Sequence, residues 1–215
     1  MFGHDAFYLG NFGRVPVYLR WDIIFLVLWI MTDNAPLANR LLLLAVILMT
    51  VLMHELGHAA VATARGMHSV RVVITGLGGF CSYLGLPDPL RQFTVSVAGP
   101  LMNFTIAGFA WLAMRHLELP NNLLGLAVTM TFYVNLMLGI LNSLPIYPFD
   151  GGQALLSLLQ LRLSPRRAGS IVLTTSFITA IVALAGLTWY MNGQIPWIFA
   201  VFVFISLFQA SRDLR

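Results

Sequence analysis

The sequence predicts an all-α polytopic membrane protein. It has about six transmembrane helices, with a membrane-associated β-hairpin between the second and third. Hydrophobic residues make up 59% of the 215 residues and charged residues only 9%. Soluble domains carry roughly 25% charged residues, so this chain has too few to cover a water-facing surface. Apolar stretches long enough to cross a bilayer recur along it, and its arginines gather on alternate connections between them. No low-complexity tract, internal repeat or linker divides the chain, so residues 1–215 are expected to form a single transmembrane domain.

A helix needs about 20 mostly apolar residues to cross a bilayer. The expected spans are 15–32, 37–65, 91–115, 120–145, 166–191 and 194–211. Arg20 and Asp22 interrupt the first, which leaves an interfacial start open. The N-terminus has no short apolar core followed by a small-residue cleavage site, so no removable signal peptide is expected. Between the second and third spans lies SVRVVITGLGGFCSYLGL, residues 69–86. A β-branched run, then glycines, then an aromatic run read as a β-hairpin. Between the fourth and fifth spans, PIYPFDGGQALLSLLQLRLSPRR brings two prolines and then a short amphipathic helix.

All twelve basic residues are arginine. Ten of them (Arg14, Arg20, Arg65, Arg71, Arg91, Arg162, Arg166, Arg167, Arg212 and Arg215) fall at the N-terminus, the hairpin, the 146–167 connection and the C-terminus; only Arg40 and Arg115 fall opposite. By the positive-inside rule both termini lie in the cytoplasm of what is expected to be a prokaryotic cytoplasmic membrane. Scattered arginines also make the net charge of +4 a topology signal rather than a nucleic-acid footprint.

Ionisable residues inside a membrane are functional candidates by default. The second span contains MHELGHAA, with His54 and His58 four apart and Glu55 beside them. Residues four apart share one helix face, so both imidazoles can meet one ion while Glu55 reaches a water. This is the H-E-x-x-H arrangement of zinc hydrolases. The alternative is a hydrogen-bonded histidine pair with Glu55 as its partner. Cys81 is the only cysteine, so no cysteine-built zinc site and no intrachain disulfide is expected.

A catalytic zinc site has three protein ligands as a rule. No third histidine follows His58 closely, and the other glutamate, Glu118, falls in a loop on the opposite side. Between Glu118 and Asp213 the one acid is Asp150, on the side where the second span ends. Pro145 and Pro148 force irregular backbone there, and such backbone is tolerated at membrane depth where it lines a cavity. Gly151 and Gly152 permit a sharp turn. The competing role for Asp150 is the N-cap of the helix that follows.

Together, HELGH at 54–58, NSLPIYPFDGG at 142–152 and SVAGPLMN at 96–103 resemble the site-2 protease family of intramembrane zinc metalloproteases. The second segment matches the family's N-x-x-P-x-x-P-x-D-G and the third its G-P-x-x-N, over a core from about residue 50 to 152. The resemblance implies one zinc ion held by His54, His58 and Asp150, Glu55 as catalytic acid/base, and Asn142 near the substrate. The 215 residues leave no room for the PDZ or CBS domains that many members carry, so a minimal form is expected. The resemblance also implies a single-pass transmembrane protein or signal peptide in the bilayer as substrate.

On this reading Glu55 moves the proton of the attacking water. Asn142 donates to the substrate backbone or oxyanion, unless it makes an interhelical hydrogen bond instead. Asn135 either packs or lines a water route. Asn103 reads as packing, with Gly99 permitting close helix approach. His68 and His116 read as solvated loop residues. His54 lies about 10–15 Å below the surface at about 1.5 Å per residue, so water is expected to enter from the cytoplasmic side. The hairpin edge at Val72, Val73 and Ile74 is expected to take the substrate by strand addition, unless the hairpin is a simple exposed connector. Other classes fit less well. A di-iron oxygenase needs more ligands than five histidines and two glutamates supply. A metal transporter predicts polar residues along several spans, and a non-cleaving zinc scaffold leaves Glu55 without a purpose.

Overall fold

The computed structural model describes residues 6–85, 88–194 and 197–214. Leu86 of the expected hairpin, positions 195–196 of the expected last span and Arg215 lie outside them. Two compact units form: one from residues 1–86 and 98–139, the other from 87–97 and 140–215.

The first unit begins with strands β1 (Ala6–Phe12) and β2 (Val15–Arg20), then helices α1 (Ile23–Met31) and α2 (Leu37–Ala64). Strands β3 (His68–Thr75) and β4 (Gly78–Leu84) follow, and most of α3 (Pro89–His116) and α4 (Leu123–Ser143) belong here. The expected hairpin is β3–β4, but it is half of a four-stranded sheet ordered β1-β2-β3-β4. Strand β2 runs parallel to β3, pairing Val17 with Val72, Tyr18 with Val73 and Leu19 with Ile74. The fold is therefore mostly helical rather than all-α.

The expected first span is corrected by the same finding. Val15 and Val17 are buried on alternate positions of a strand, and α1 has nine residues, about 13 Å at 1.5 Å per residue. The Arg20–Asp22 pair fixes the break between them: Arg20 donates through Nε to Asp22 Oδ2 at 2.9 Å. Asp22 Oδ1 also accepts from the Gly76 amide at 3.2 Å. A Cβ on Gly76 would lie 2.2 Å from the Asp22 carbonyl oxygen, so only glycine lets the β3–β4 turn sit there.

Among the described residues four helices are long and apolar enough to cross a membrane: α2, α3, α4 and α6 (Pro165–Tyr190). They correspond to the second through fifth expected spans. In a bilayer such helices satisfy their own backbone groups and leave apolar faces to lipid, as at Leu101, Phe109, Met137, Ile178 and Ile181. The sixth expected span overlaps α7 (Trp197–Asp213), 17 residues long, at the lower end of the roughly 17–25 residues with which a helix crosses a bilayer.

In the second unit α5 (Asp150–Gln160) follows the end of α4, then come α6 and α7. Ile146, Phe149, Ala180 and Val203 form its core. The proline-rich break at 144–149 contains a cis Tyr147–Pro148 peptide. Its backbone groups find side-chain partners. The Tyr147 amide donates to Ser176 Oγ at 3.0 Å, and Gln153 Nε2 donates to the Pro148 carbonyl at 2.9 Å.

Candidate metal centre

α2 carries its chemistry on one buried face. His54, Glu55 and His58 are 4%, 5% and 6% exposed. The two histidine rings stand nearly perpendicular, at 81°, and their Nε2 atoms face each other at 3.1 Å. With zinc–nitrogen bonds of about 2.0–2.1 Å, that separation corresponds to a nitrogen–zinc–nitrogen angle of about 100°, near tetrahedral. The pair fits one zinc ion.

Helix α3 is shaped to leave that space open. A Cβ on Gly99 would lie 2.3 Å from His58 Nε2 and 2.6 Å from His54 Nε2. On the facing side of α2, a Cβ on Gly57 would lie 2.9 Å from the Ala98 carbonyl oxygen. The expected close approach at Gly99 is thus present, and it occurs over the histidine nitrogens. One turn along α3, Asn103 is fully buried and its Oδ1 lies 3.3 Å from His54 Nδ1. Asn135 is also buried. Its Nδ2 donates to Thr50 Oγ1 on α2 and to the Thr131 carbonyl, both at 2.9 Å, so it packs α4 against α2.

Glu55 meets the sheet. A Cβ on Gly79 would lie 2.8 Å from Glu55 Cγ and 2.9 Å from its Oε1, so β4 passes directly over the carboxylate. Gly79 is the site residue that sequence reasoning missed. A glycine inside a strand signals close approach of another group, and the GLGG run carried that signal without naming the group. Next along β4, the Cys81 thiol is pushed up to about 12, first by burial and then by the Glu55 charge.

The structure brings His54, Glu55 and His58 together within the first unit. Asn142 and Asp150 belong to the second unit. Asn142 lies in the last turn of α4. Asp150 opens α5, with its Oδ2 buried. The N-cap of α5 is Phe149, and no side chain caps it, so Asp150 is not the cap. Gly151 and Gly152 do make the turn possible: a Cβ on Gly151 would lie 2.3 Å from the Ser143 carbonyl oxygen, and on Gly152 2.4 Å from the Tyr147 nitrogen.

The expected edge at Val72, Val73 and Ile74 is corrected. β3 is an interior strand with β2 on one side and β4 on the other, and all three side chains are buried. Both rows of its backbone groups are occupied, so no strand can add there. His68 and His116 are exposed, the first opening β3 and the second closing α3.

The family model "Peptidase family M50" matches residues 42–125 and 113–183. Stage IV sporulation protein FB of Bacillus subtilis is 32% identical over 189 residues, covering 86% of this chain and 64% of that protein. A zinc metalloprotease of Methanocaldococcus jannaschii is 28% identical over 149 residues, covering 67% of this chain and 43% of that protein. The chain therefore spans less than two thirds of the length of either relative. The solved structure of a site-2 protease from Methanocaldococcus jannaschii superposes with a TM-score of 0.69 at 23% identity, over 98% of this chain and 95% of that one, a likeness of fold. With the family pattern matched over most of its length, and the histidine pair of that pattern assembled on α2, the chain belongs to peptidase family M50, the site-2 protease family.

Proposed function

We propose that the protein is an intramembrane zinc endopeptidase, cleaving a peptide bond within or near the transmembrane segment of a membrane-protein substrate. The observation that carries this is the pair of Nε2 atoms at 3.1 Å with a buried carboxylate next in sequence. Asp150 supplies the third ligand. It matches the aspartate of the family's proline-rich motif, and α5 begins on it without using it as a cap. When bound, zinc supplies a Lewis acid that polarises a carbonyl and acidifies water. Glu55 takes the proton of the attacking water on its carboxylate and delivers it to the leaving nitrogen. Asn142 offers its amide hydrogens to the substrate backbone or the developing oxyanion.

The arginine asymmetry supports cytoplasmic termini and a site opening towards the cytoplasm. A single-pass transmembrane protein or a signal peptide is the substrate class. A helix must unwind to be cut, and its freed backbone groups then need partners. β4 is the margin of the sheet on the Glu55 side, which makes it the strand for substrate addition in place of β3. Outward N–H groups alternate along a strand, so a proline scan over 78–84 is expected to lower cleavage at alternate positions with zinc retained. Cleavage untouched at every position that keeps the fold overturns the β4 assignment.

Asp150→Ala tests the ligand set. Metal analysis of the purified variant is expected to show zinc lost, or retained only at much higher free zinc, while the fold persists. Wild-type zinc affinity in Asp150→Ala removes this residue from the site.

A further inference from the structure

We infer that Asn103 is a positioning residue for the metal centre: its Oδ1 accepts a hydrogen bond from His54 Nδ1–H and so fixes the tautomer whose Nε2 lone pair faces His58. This rests on the zinc reading of the histidine pair. Asn103 is fully buried, and burying an amide is unfavourable unless it is hydrogen-bonded. Its Oδ1 lies 3.3 Å from His54 Nδ1. Its Nδ2 is buried and has no hydrogen-bond partner among the described residues. An asparagine kept only for packing has no reason to spend its one buried contact on this ring.

The donor and acceptor roles follow from the chemistry of imidazole. A neutral ring has one N–H and one lone pair. An Asn103 turned the other way would put an N–H donor against Nδ1. The His54 proton would then move to Nε2, the nitrogen that faces His58 at 3.1 Å, and that nitrogen could no longer bind a metal. The oxygen-inward orientation is the one compatible with coordination, and such outer partners orient a ligating histidine and raise its basicity. Gly99 and Asn103 are four apart on α3, so one helix face both leaves room over the two nitrogens and holds the far side of one ring.

Two variants separate this role from packing. Asn103→Leu keeps the volume and removes the acceptor, whereas Asn103→Asp keeps an acceptor oxygen at the same reach. Zinc affinity, measured on the purified protein by competition with a chelator, is expected to fall about 10–100-fold in Asn103→Leu and to hold in Asn103→Asp. Equal affinity in wild type and Asn103→Leu overturns the inference. So does an equal loss in both variants, which is the mark of a structural role. A wild type that binds no zinc overturns the metal reading itself, a result told apart from the other two by the wild-type measurement alone. If Asn103→Leu does not fold, nitrogen NMR of the metal-free wild type decides: His54 protonated at Nδ1 supports the inference, and protonation at Nε2 overturns it.

Discussion

Glu55→Gln is expected to retain zinc and lose cleavage. Glutamine keeps the shape that packs beneath Gly79, where a Cβ would already sit 2.8 Å from Cγ, so the sheet and α2 stay in register. It cannot accept the proton of the attacking water. Positioned acid–base groups contribute about a hundred- to ten-thousand-fold, and turnover is expected to fall by that amount. The measurement is a paired one on the same preparation: zinc content and rate of substrate cleavage. Undiminished cleavage in Glu55→Gln removes this residue from the mechanism. Loss of zinc together with activity makes it part of the metal site instead.

Gly99→Ala has the second large effect, and it acts through one methyl group. The added Cβ would lie 2.3 Å and 2.6 Å from the two Nε2 atoms, well inside contact distance and in the space an ion needs. His54 has little room to retreat, because Asn103 Oδ1 stands 3.3 Å from its Nδ1 on the far side of the ring. Zinc affinity is expected to fall by more than about 100-fold, beyond the range produced by loss of an outer hydrogen bond. Gly108→Ala is the control on the same helix. Nothing lies within 4 Å of its Cβ position, and alanine favours helix over glycine by about 1 kcal/mol, so zinc binding should not change. Wild-type zinc affinity in Gly99→Ala contradicts the cradle.

The sequence made the histidine pair legible because its pattern is local. His54 and His58 share a face by helical spacing alone, and four apolar stretches of sufficient length became α2, α3, α4 and α6. The break before Asp150 was legible from Pro145, Pro148 and the double glycine, for reasons of backbone sterics that hold in any context. What was not legible depends on distant partners. The run VPVYLRWDIIFLVLW joins a strand to a short helix, and its average hydropathy resembles one span. Only the pairing of Val17 with Val72, across 55 positions, reveals it as a strand. The same missing partner made Val72, Val73 and Ile74 look like an open edge. Asn103 looked like packing because its spacing carries no hint that His54 lies opposite. Gly79 announced a close approach but not that Glu55 was the group approached.

On the proposed function, this site hydrolyses peptide bonds within the membrane. The direct measurement is to place the zinc-loaded protein in lipid vesicles with a single-pass transmembrane substrate and to locate the cut by mass spectrometry. The expected result is a cut inside the membrane-spanning segment or at its border, abolished by a chelator and restored by added zinc. Cleavage confined to the soluble part of the substrate, or cleavage undiminished after the metal is removed, is incompatible with an intramembrane zinc protease.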